Sequence, residues 1–169
     1  MKIENSTISD LATIFGLYDA ATHYQLEKKI VTSWPKFNKE MVKNEIADNR
    51  QFKLLVDNQI ACVWAITFSD AEIWQERDND SSIYIHRIAT NSNFRGQNFV
   101  KIIVAWAIQY CKENNQKFIR MDTTGENTKL IAHYTNCGFD FLGLSKLTKT
   151  TNLPAHYHNA TVCLFEIKL

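Results

Sequence analysis

The feature that most constrains this chain is a strand pattern that runs through a glycine turn into a long amphipathic helix. Over residues 82–90, β-branched and apolar residues alternate with polar ones, which is typical of a central strand. The turn contains Arg95 and Gly96, and apolar residues at helical spacing follow it as far as Cys111. The first amides of such a helix lack internal partners and carry the positive end of its dipole. The pattern therefore predicts a local anion site, although an ordinary strand-to-helix connection would have the same pattern.

Similar patterns assign the other elements. Helices are expected over residues 9–28, 39–49 and 128–137. Strands are expected over 52–57, 60–68, 118–124, 139–146 and 161–169. Ser9 would cap the first helix, and Gly138 stands where the last helix would end. The strands 52–57 and 60–68 look like a hairpin with Asn58–Gln59 as its turn, and the polar run 70–81 is expected to be a loop.

The order of these elements indicates the fold class. In chain order there are a strand, two helices, three strands, a helix, a strand, a helix and two strands. This order predicts an α/β fold of the α+β type, a mixed, mostly antiparallel sheet of about seven strands flanked by about four helices. A chain of 169 residues, 45% of them hydrophobic, is long enough to bury one sizeable core. We therefore expect a single domain spanning residues 1–169.

The composition and the N-terminal sequence limit which binding partners and which cellular compartment are expected. A formal charge of +1 gives no global field for attracting nucleic acid or acidic membranes. The N-terminal residues lack the basic and apolar regions of a signal peptide, and no apolar run approaches the roughly 20 residues that span a bilayer. These observations predict a cytoplasmic protein that binds neither nucleic acid nor membrane. The 4 cysteines form no CxxC pair and lie among apolar residues, so buried free thiols and no metal site are expected.

The glycine turn matches neither common nucleotide-binding motif. The sequence contains no G-x-x-x-x-G-K-[ST] and no G-x-G-x-x-G. The segment NFRGQN, residues 93–98, instead resembles the pyrophosphate motif R/Q-x-x-G-x-G/A of the GNAT superfamily of acyl-CoA-dependent N-acyltransferases. Gly96 matches the central glycine, and Arg95 the arginine that usually precedes it. Asn93 and Asn98 depart from the motif, but asparagine can adopt unusual backbone angles or donate its own hydrogen bond.

A second segment supports the same resemblance. Residues 127–139, NTKLIAHYTNCGF, are similar to the family segment N-x-x-A-x-x-L-Y-x-x-x-G-F. The residues in register are Asn127, Tyr134, Gly138 and Phe139. The strand phrase IHRIAT also resembles the family's h-R-L-A-V strand. The resemblance covers residues 52–142 well and the remainder by element order, and it implies a GNAT-like sheet whose central fourth and fifth strands splay apart.

The resemblance implies acetyl-CoA, or another acyl-CoA, as co-substrate. The backbone of the fourth strand would pair with the pantetheine arm, and amides of the following loop would hold the pyrophosphate. The residues implied for the cofactor are Ile88, Ala89, Thr90, Arg95, Gly96, Gln97, Asn98, Phe99 and Asn127. Backbone amides do most of this binding, so cofactor binding is expected to be retained despite the side chain of Asn98, and whether the altered motif weakens it stays open.

Acyl transfer to an amine needs a deprotonated nucleophile, a polarised thioester carbonyl and a proton for the leaving thiolate. Tyr134 matches the family tyrosine that commonly supplies this proton, and a tyrosine of the core is the alternative. His86 is the candidate general base, because an imidazole with a pKa of about 6.5 suits proton transfer. A structural role for His86 and a base role for Glu72 stay open. The amide of Ile88 or Ala89 would polarise the carbonyl.

Candidate residues for the acceptor site come from several segments of the chain. Asp122, late in the fifth strand, could hold a cationic amine or cap the turn that follows. Alternation places Tyr84 on the same strand face as the candidate base, toward either the cleft or the solvent. Trp34 is a candidate aromatic wall, as are Trp64 and Trp74, although most tryptophans belong to cores.

These observations lead to one expected function and one alternative. We expect an N-acetyltransferase that moves the acetyl group of acetyl-CoA directly to a primary amine of a small molecule, such as an amino acid, a polyamine or an aminoglycoside-like compound. The alternative is a non-catalytic acyl-CoA-binding sensor or regulatory module with the same fold, which the absence of a glutamate in the fourth strand favours. An exposed edge strand is compatible with a homodimer. The loop with His156, Tyr157 and His158 is expected at the surface, although it could line the acceptor site.

Overall fold

Strands and helices follow one another in the predicted order, with one additional short helix. The structure is a computed structural model and describes residues 1–28, 33–147, 150, 153 and 155–169. The strands are β1 (Lys2–Asn5), β2 (Gln51–Val56), β3 (Gln59–Thr67), β4 (Ser82–Thr90), β5 (Phe118–Thr124), β6 (Asp140–Lys146) and β7 (Thr161–Lys168). The helices are α1 (Leu11–Glu27), α2 (Lys39–Ala47), α3 (Ala71–Trp74), α4 (Phe99–Glu113) and α5 (Thr128–Asn136).

The strands form a seven-stranded sheet in the order β1-β2-β3-β4-β5-β7-β6. The pairs β1–β2, β2–β3, β5–β7 and β6–β7 are antiparallel. In contrast, β4 and β5 are parallel, with Ser82–Tyr84 opposite Phe118–Arg120. Parallel neighbours need a crossover connection, which α4 provides here. The prediction of a mixed, mostly antiparallel sheet of seven strands is confirmed.

Two local predictions are wrong by one or two residues. Ser9 does not cap α1, because the chain enters this helix through a 3₁₀ turn over Ile8–Asp10. There the Asp10 carboxylate accepts hydrogen bonds from the Thr7 N–H at 2.7 Å and the Thr7 hydroxyl at 2.9 Å.

The hairpin turn is Asp57–Asn58 rather than Asn58–Gln59. Both of its residues have positive φ, 49° and 61°, which Asp and Asn tolerate in two-residue hairpin turns.

The polar run 70–81 was expected to be a loop, but it contains α3 and a 3₁₀ turn over Gln75–Asn79. Asp78 organises this segment, because its carboxylate accepts hydrogen bonds from the Ser69 hydroxyl and the Asp70 N–H, both at 2.7 Å. Ile73 and Trp74 are buried. Two inward-facing residues are too few for a periodic pattern, so tertiary contacts rather than periodicity specify this helix.

The described residues divide into two compact units. The first unit contains Met1–Ile66 and His86–Phe99. Its core cluster consists of Leu11, Ile14, Leu17, Tyr18, Val42, Val63 and Ala89. Polar groups inside it are paired, since the Tyr18 hydroxyl donates to Gln51 Oε1 at 3.2 Å and Gln51 Nε2 donates to the Trp64 carbonyl at 3.0 Å. That the whole chain is one domain stays a prediction.

The second unit contains Thr67–Ile85 and Val100–Leu169. One of its core clusters consists of Ile73, Trp74, Tyr84, Leu147 and Val162. A separate aromatic group joins Tyr134, Phe139 and Phe165, with ring centroids 5.2 to 6.4 Å apart. The 4 cysteines of the chain are buried and free, as predicted.

Helix α4 presents the predicted apolar face. Ile103, Ala107 and Cys111 are fully buried, and they recur at the spacing of one helical stripe. Burial of this stripe, rather than helix propensity, accounts for most of the stability of such a helix. Among the described residues, no helix combines the length and apolarity that crossing a bilayer requires.

A buried arginine stabilises the second unit. Arg120 in β5 is 1% exposed and donates from Nε to Glu166 at 2.7 Å and from Nη2 to Asp80 at 2.8 Å. Its Nη1 donates to the Arg77 carbonyl and to the Tyr84 hydroxyl. A buried guanidinium requires this number of acceptors to offset its lost hydration. Arg120 therefore joins the 3₁₀ turn after α3 to the strands of the same unit.

Candidate active site

The loop that joins β4 to α4 begins at Asn91, which the sequence analysis did not single out. Its N–H donates to the Ala61 carbonyl at 2.9 Å, and its Nδ2 donates to the Ile60 carbonyl at 3.2 Å. Its Oδ1 accepts from the Asn93 N–H at 3.1 Å. An asparagine directly after a strand is a known turn signal, because its side chain bonds the backbone two residues on. Asn91 therefore sets the starting point of the loop against β3.

The end of this loop has an unusual backbone. Gly96 and Asn98 have φ of 84° and 51°, in the left-handed region, and α4 begins at Phe99. Glycine adopts this region freely, and asparagine is among the few other residues that do so. The departure of Asn98 from the glycine or alanine of the motif is thus accommodated by its backbone angle. The first N–H groups of α4 have no partners inside the helix and are directed out of its N-terminal end.

Arg95 adds a positive charge to the loop. Its guanidinium lies over the Tyr24 ring of α1, 4.3 Å from the ring centroid, while the side chain remains exposed. Cation–π contacts of this kind orient an arginine without neutralising it. Helix amides, two left-handed residues and an oriented cation thus occur together in this loop, and binding of a diphosphate group by it stays a prediction.

The second half of β4 carries the residues assigned to the pantetheine arm. Ala89 is buried in the core of the first unit, Ile88 is half-buried, and the Thr90 hydroxyl donates to Cys62 Sγ at 3.5 Å. Between His86 and Ile88, Arg87 has a φ of 52°, which is rare within a strand. The left-handed backbone of Arg87 interrupts the regular geometry of β4 next to the residues implied in binding the pantetheine arm. Arg87 was not among the predicted site residues.

His86 is a weak proton acceptor in this structure. Burial first, and then the charges of Arg87 and Arg50, lower its pKa to about 3. A general base works best when its pKa lies near the working pH, and a pKa of about 3 leaves the imidazole neutral and poorly basic. A base role and a structural role for His86 both stay predictions.

Trp34 borders the core of the first unit and is half-buried. Its ring makes edge-to-face contacts with those of Tyr18 and Phe37, with centroids 6.1 and 5.6 Å away. Trp64 and Trp74 are 0% and 2% exposed and belong to the interior of their units, so their placement agrees with the core alternative. Of the three tryptophans, Trp34 has the exposure that contact with a ligand requires.

Two of the predicted site residues, Tyr134 and Asn127, belong to the second unit. Tyr134 lies in α5, 9% exposed, with its ring against Phe165 at a centroid distance of 5.2 Å. Asn127 caps the same helix, because its Oδ1 accepts from the N–H groups of Lys129 and Leu130, both at 3.1 Å. The capping fixes where α5 begins and hence where Tyr134 is placed. A cofactor contact of Asn127 stays a prediction.

Tyr84 is fully buried rather than open to solvent. Its hydroxyl accepts from Arg120 Nη1 at 3.3 Å and its ring packs on Trp74. Burial and a hydrogen bond to Asp78 raise its pKa to about 12. These contacts give Tyr84 a structural role in the second unit, and contact with the substrate stays a prediction.

Asp122 is half-buried in β5, and its Oδ2 atom is itself fully buried. Burial raises its pKa to about 6, while a hydrogen bond from Tyr157 acts in the opposite direction. Tyr157 belongs to the late loop that was expected at the surface, but it is half-buried. The structure thus brings Tyr157 to Asp122, which the sequence left open.

Comparison with known proteins decides the family. A model of the acetyltransferase (GNAT) family matches residues 22–139. The chain belongs to the GNAT acetyltransferase family. This family uses acetyl-CoA, and the enzyme is an acyl-CoA-dependent N-acetyltransferase.

Individual relatives of this GNAT acetyltransferase agree with that result. The uncharacterized N-acetyltransferase YesJ of Bacillus subtilis (strain 168) is 24% identical over 165 residues, covering 84% of this chain and 89% of its own. A GNAT-family acetyltransferase from Listeria monocytogenes 4b F2365 superposes with a TM-score of 0.78 at 20% identity, over 99% of this chain and 94% of that one. Ribosomal-protein-alanine N-acetyltransferase from Brucella melitensis superposes with a TM-score of 0.71 at 16% identity, over all of both chains. The solved structures establish the shared fold.

One buried acid of the enzyme went unnoticed in the sequence. Asp70 precedes α3 in a run of charged residues that resembles any solvated loop. Burial first, and then the charges of Asp122, Asp78 and Glu72, raise its pKa to about 8. Nothing local in the sequence distinguishes Asp70 from its acidic neighbours, because its burial comes from contacts with distant strands.

Proposed function

We propose that this enzyme transfers the acetyl group of acetyl-CoA directly to a primary amine of a small molecule. The observation that carries the proposal is the loop from Arg95 to Phe99, in which two left-handed residues precede the N-terminus of α4. Acetyl-CoA, when bound, supplies an activated thioester. No covalent intermediate on the protein is required, because an amine is itself a sufficient nucleophile once it is deprotonated.

The loop would hold the diphosphate of the donor. The N–H groups of Gly96, Gln97, Asn98 and Phe99 would bond its oxygens, and Arg95 would add a charge-assisted bond. The backbone of Ile88, Ala89 and Thr90 would pair with the extended arm as a neighbouring strand does. Backbone groups bind independently of side-chain identity, which supports retained binding despite the departures from the motif.

Tyr134 would donate the proton that the leaving sulfur needs. Its hydroxyl suits this role because a phenol O–H can donate a proton to a thiolate. The packing of its ring against Phe139 and Phe165 limits the orientations of the hydroxyl. Preorganisation of this kind lowers the cost of reaching the reactive geometry.

The acceptor would be a small cationic metabolite. A formal charge of +1 offers no broad attraction for a nucleic acid or a highly basic protein tail. Asp122 and the half-buried Trp34 would contribute a carboxylate and an aromatic surface to recognition. Because ribosomal-protein-alanine N-acetyltransferase shares the fold, an alanyl peptide belongs among the tested acceptors.

The test is release of free coenzyme A thiol by the full chain with acetyl-CoA and a panel of amino acids, polyamines, aminoglycosides and an alanyl peptide. We expect release with at least one small amine, and a kcat lower by about 100-fold or more in Tyr134→Phe, as loss of a general acid implies. Tyr110→Phe on α4 is the matched control and should retain the wild-type rate. Release with the peptide alone would contradict a small-molecule acceptor, and acetyl-CoA binding without release for any acceptor would support the sensor alternative.

A further inference from the structure

Two acidic side chains of the second unit lie close together. Asp70, just before α3, and Asp122, in β5, have carboxylate oxygens within 4.8 Å of one another. The Oδ2 atom of each is fully buried and has no hydrogen-bond partner within the described residues. Burying a carboxylate oxygen without a donor costs free energy, and a second acid nearby increases that cost. In the part of the chain that the structure describes, neither of these two buried oxygens is thus hydrogen-bonded to a cation.

The position of Asp70 is fixed by the protein. Its N–H donates to Asp78 Oδ1 at 2.7 Å, and the Ser69 hydroxyl donates to the other oxygen of the same carboxylate. Arg120, the buried cation of this unit, is already bonded to Asp80 and Glu166. The two acids are thus held near each other while the available guanidinium serves other carboxylates.

We infer that Asp70 and Asp122 bind a cationic group of the acceptor other than the amine that is acetylated. The inference rests on the proposed function. A single ammonium nitrogen can lie about 2.8 Å from each of two oxygens that are less than 4.8 Å apart, which is the length of a charge-assisted hydrogen bond. One nitrogen can therefore bridge this pair.

The reacting amine does not suit this place. Two carboxylates next to an amine stabilise its protonated form and raise its pKa, and a protonated amine has no lone pair to attack the thioester. A non-reacting ammonium or guanidinium, in contrast, is stabilised by the same two acidic side chains throughout the reaction. The pair therefore selects acceptors with two cationic groups, such as diamines and guanidino-amines.

The first test compares 1,4-diaminobutane with n-butylamine, which share one reactive primary amine and differ in the second charge. In the wild type we expect kcat/KM for the diamine to exceed that for the monoamine by at least tenfold, the equivalent of about 1.4 kcal/mol. In Asp70→Asn and Asp122→Asn, the ratio of kcat/KM for the diamine to kcat/KM for the monoamine should fall toward one. A similar kcat/KM for both amines in the wild type would overturn the inference and leave the proposed function standing.

The second test needs no turnover. In the ligand-free protein, Asp70→Asn should raise the melting temperature, because it removes a buried acid that must either keep a proton or repel Asp122, without changing the side-chain volume. The same variant should lose the thermal shift that 1,4-diaminobutane produces in the wild type. Asp140→Asn removes the same charge from an exposed position of this unit and should change neither value. A carboxylate with a merely structural role predicts the opposite sign, a lower melting temperature for Asp70→Asn.

Two further outcomes separate the hypotheses. If no amine releases coenzyme A but 1,4-diaminobutane still binds in a manner that depends on both acids, the proposed function fails and the cation site stands. If Mn²⁺ stabilises the wild type through Asp70 and Asp122 while the diamine does not, the pair is a metal site and the inference fails.

Discussion

Arg87 in β4 donates from Nη2 to both carboxylate oxygens of Glu45 in α2, at 2.5 and 2.6 Å. The two side chains are 13% and 5% exposed. The same guanidinium lies 5.4 Å from the centroid of the Phe37 ring. Arg87 is also the residue of β4 with a left-handed backbone. This ion pair therefore connects α2 to the irregular point of the strand that is implied in cofactor binding.

Removing Glu45 should destabilise the protein strongly. In Glu45→Ala we expect the free energy of unfolding to fall by about 3–5 kcal/mol, because a buried arginine loses its partner. Urea unfolding of the purified variant measures this loss. Glu40→Ala on the same helix is the control, since the exposed Glu40–Lys43 pair should contribute no more than about 1 kcal/mol. Equal losses in the two variants would contradict the structural role of the pair.

The backbone of Asn98 predicts how the loop responds to substitution. Asn98→Gly should bind acetyl-CoA with nearly wild-type affinity, because glycine adopts a φ of 51° without strain. Asn98→Val should weaken binding by about tenfold, since a β-branched residue is strained in this region by roughly 1–3 kcal/mol. Isothermal titration calorimetry measures both.

Asn115 offers a matched control for this prediction. It has a φ of 54° in the turn after α4. Asn115→Val therefore introduces a comparable strain away from the cofactor loop, and it should lower stability without changing the dissociation constant for acetyl-CoA. If Asn98→Val and Asn115→Val affect binding equally, the loop has no special role.

The raised pKa of Asp70 predicts a pH dependence of stability. Its folded pKa of about 8 lies above its ordinary value of 3.8, mainly through burial, so the folded protein keeps a proton that the unfolded chain has lost between these values. Stability should therefore fall as the pH rises toward 8. The pKa of His86, lowered from 6.5 to about 3 mainly by burial, acts in the opposite direction below pH 6.5. The informative window is thus pH 6.5 to 8.0.

Differential scanning fluorimetry across that window tests the sign. We expect the melting temperature of the wild type to decrease by roughly 3–6 °C, because one proton changes the free energy by about 1.4 kcal/mol for each pH unit. The melting temperature of Asp70→Asn should stay nearly constant over the same range. A wild-type value that rises with pH would exclude a proton on Asp70 at neutral pH.

Arg120 should be essential for the stability of the second unit. In Arg120→Met, the partly buried Glu166 loses its partner, and we expect the free energy of unfolding to fall by about 3–5 kcal/mol. Chemical denaturation with tryptophan fluorescence measures the loss. Lys117→Met, at an exposed neighbouring position, should change stability by less than about 1 kcal/mol. A similar stability of the two variants would show that the hydrogen bonds of Arg120 contribute little.

Much of the fold could be predicted, because its signals are local. The alternation over 82–90 and 118–124 predicted β4 and β5 with their observed bounds. Gly138, with a φ of 108°, follows α5 as a left-handed residue at a helix end should. The residues around 70–80 were the exception. Asp78 holds the start of the segment from within, and Arg120 bonds the Arg77 carbonyl and Asp80 from outside it. A partner outside the segment leaves no periodic signal in it.

For the same reason, only those features of the candidate site that depend on neighbours in sequence could be predicted. The loop proposed for the cofactor was singled out through Arg95 and Gly96, whose chemistry depends on neighbours in sequence. His86 was chosen by residue type, but type alone does not include the burial that lowers its pKa. Asp70 was overlooked because its partner, Asp122, lies on a strand far along the chain.

The amino-acid sequence by itself determined where strands and helices form and which residues could take left-handed backbone angles ahead of α4, since these depend on side-chain periodicity and on local steric clashes. The tertiary structure alone decided the protonation of Asp70, Asp122 and His86 and the pairing of Arg87 with Glu45. Electrostatic energies depend on the distance between charges and on their exclusion from water, and both arise when distant segments pack together.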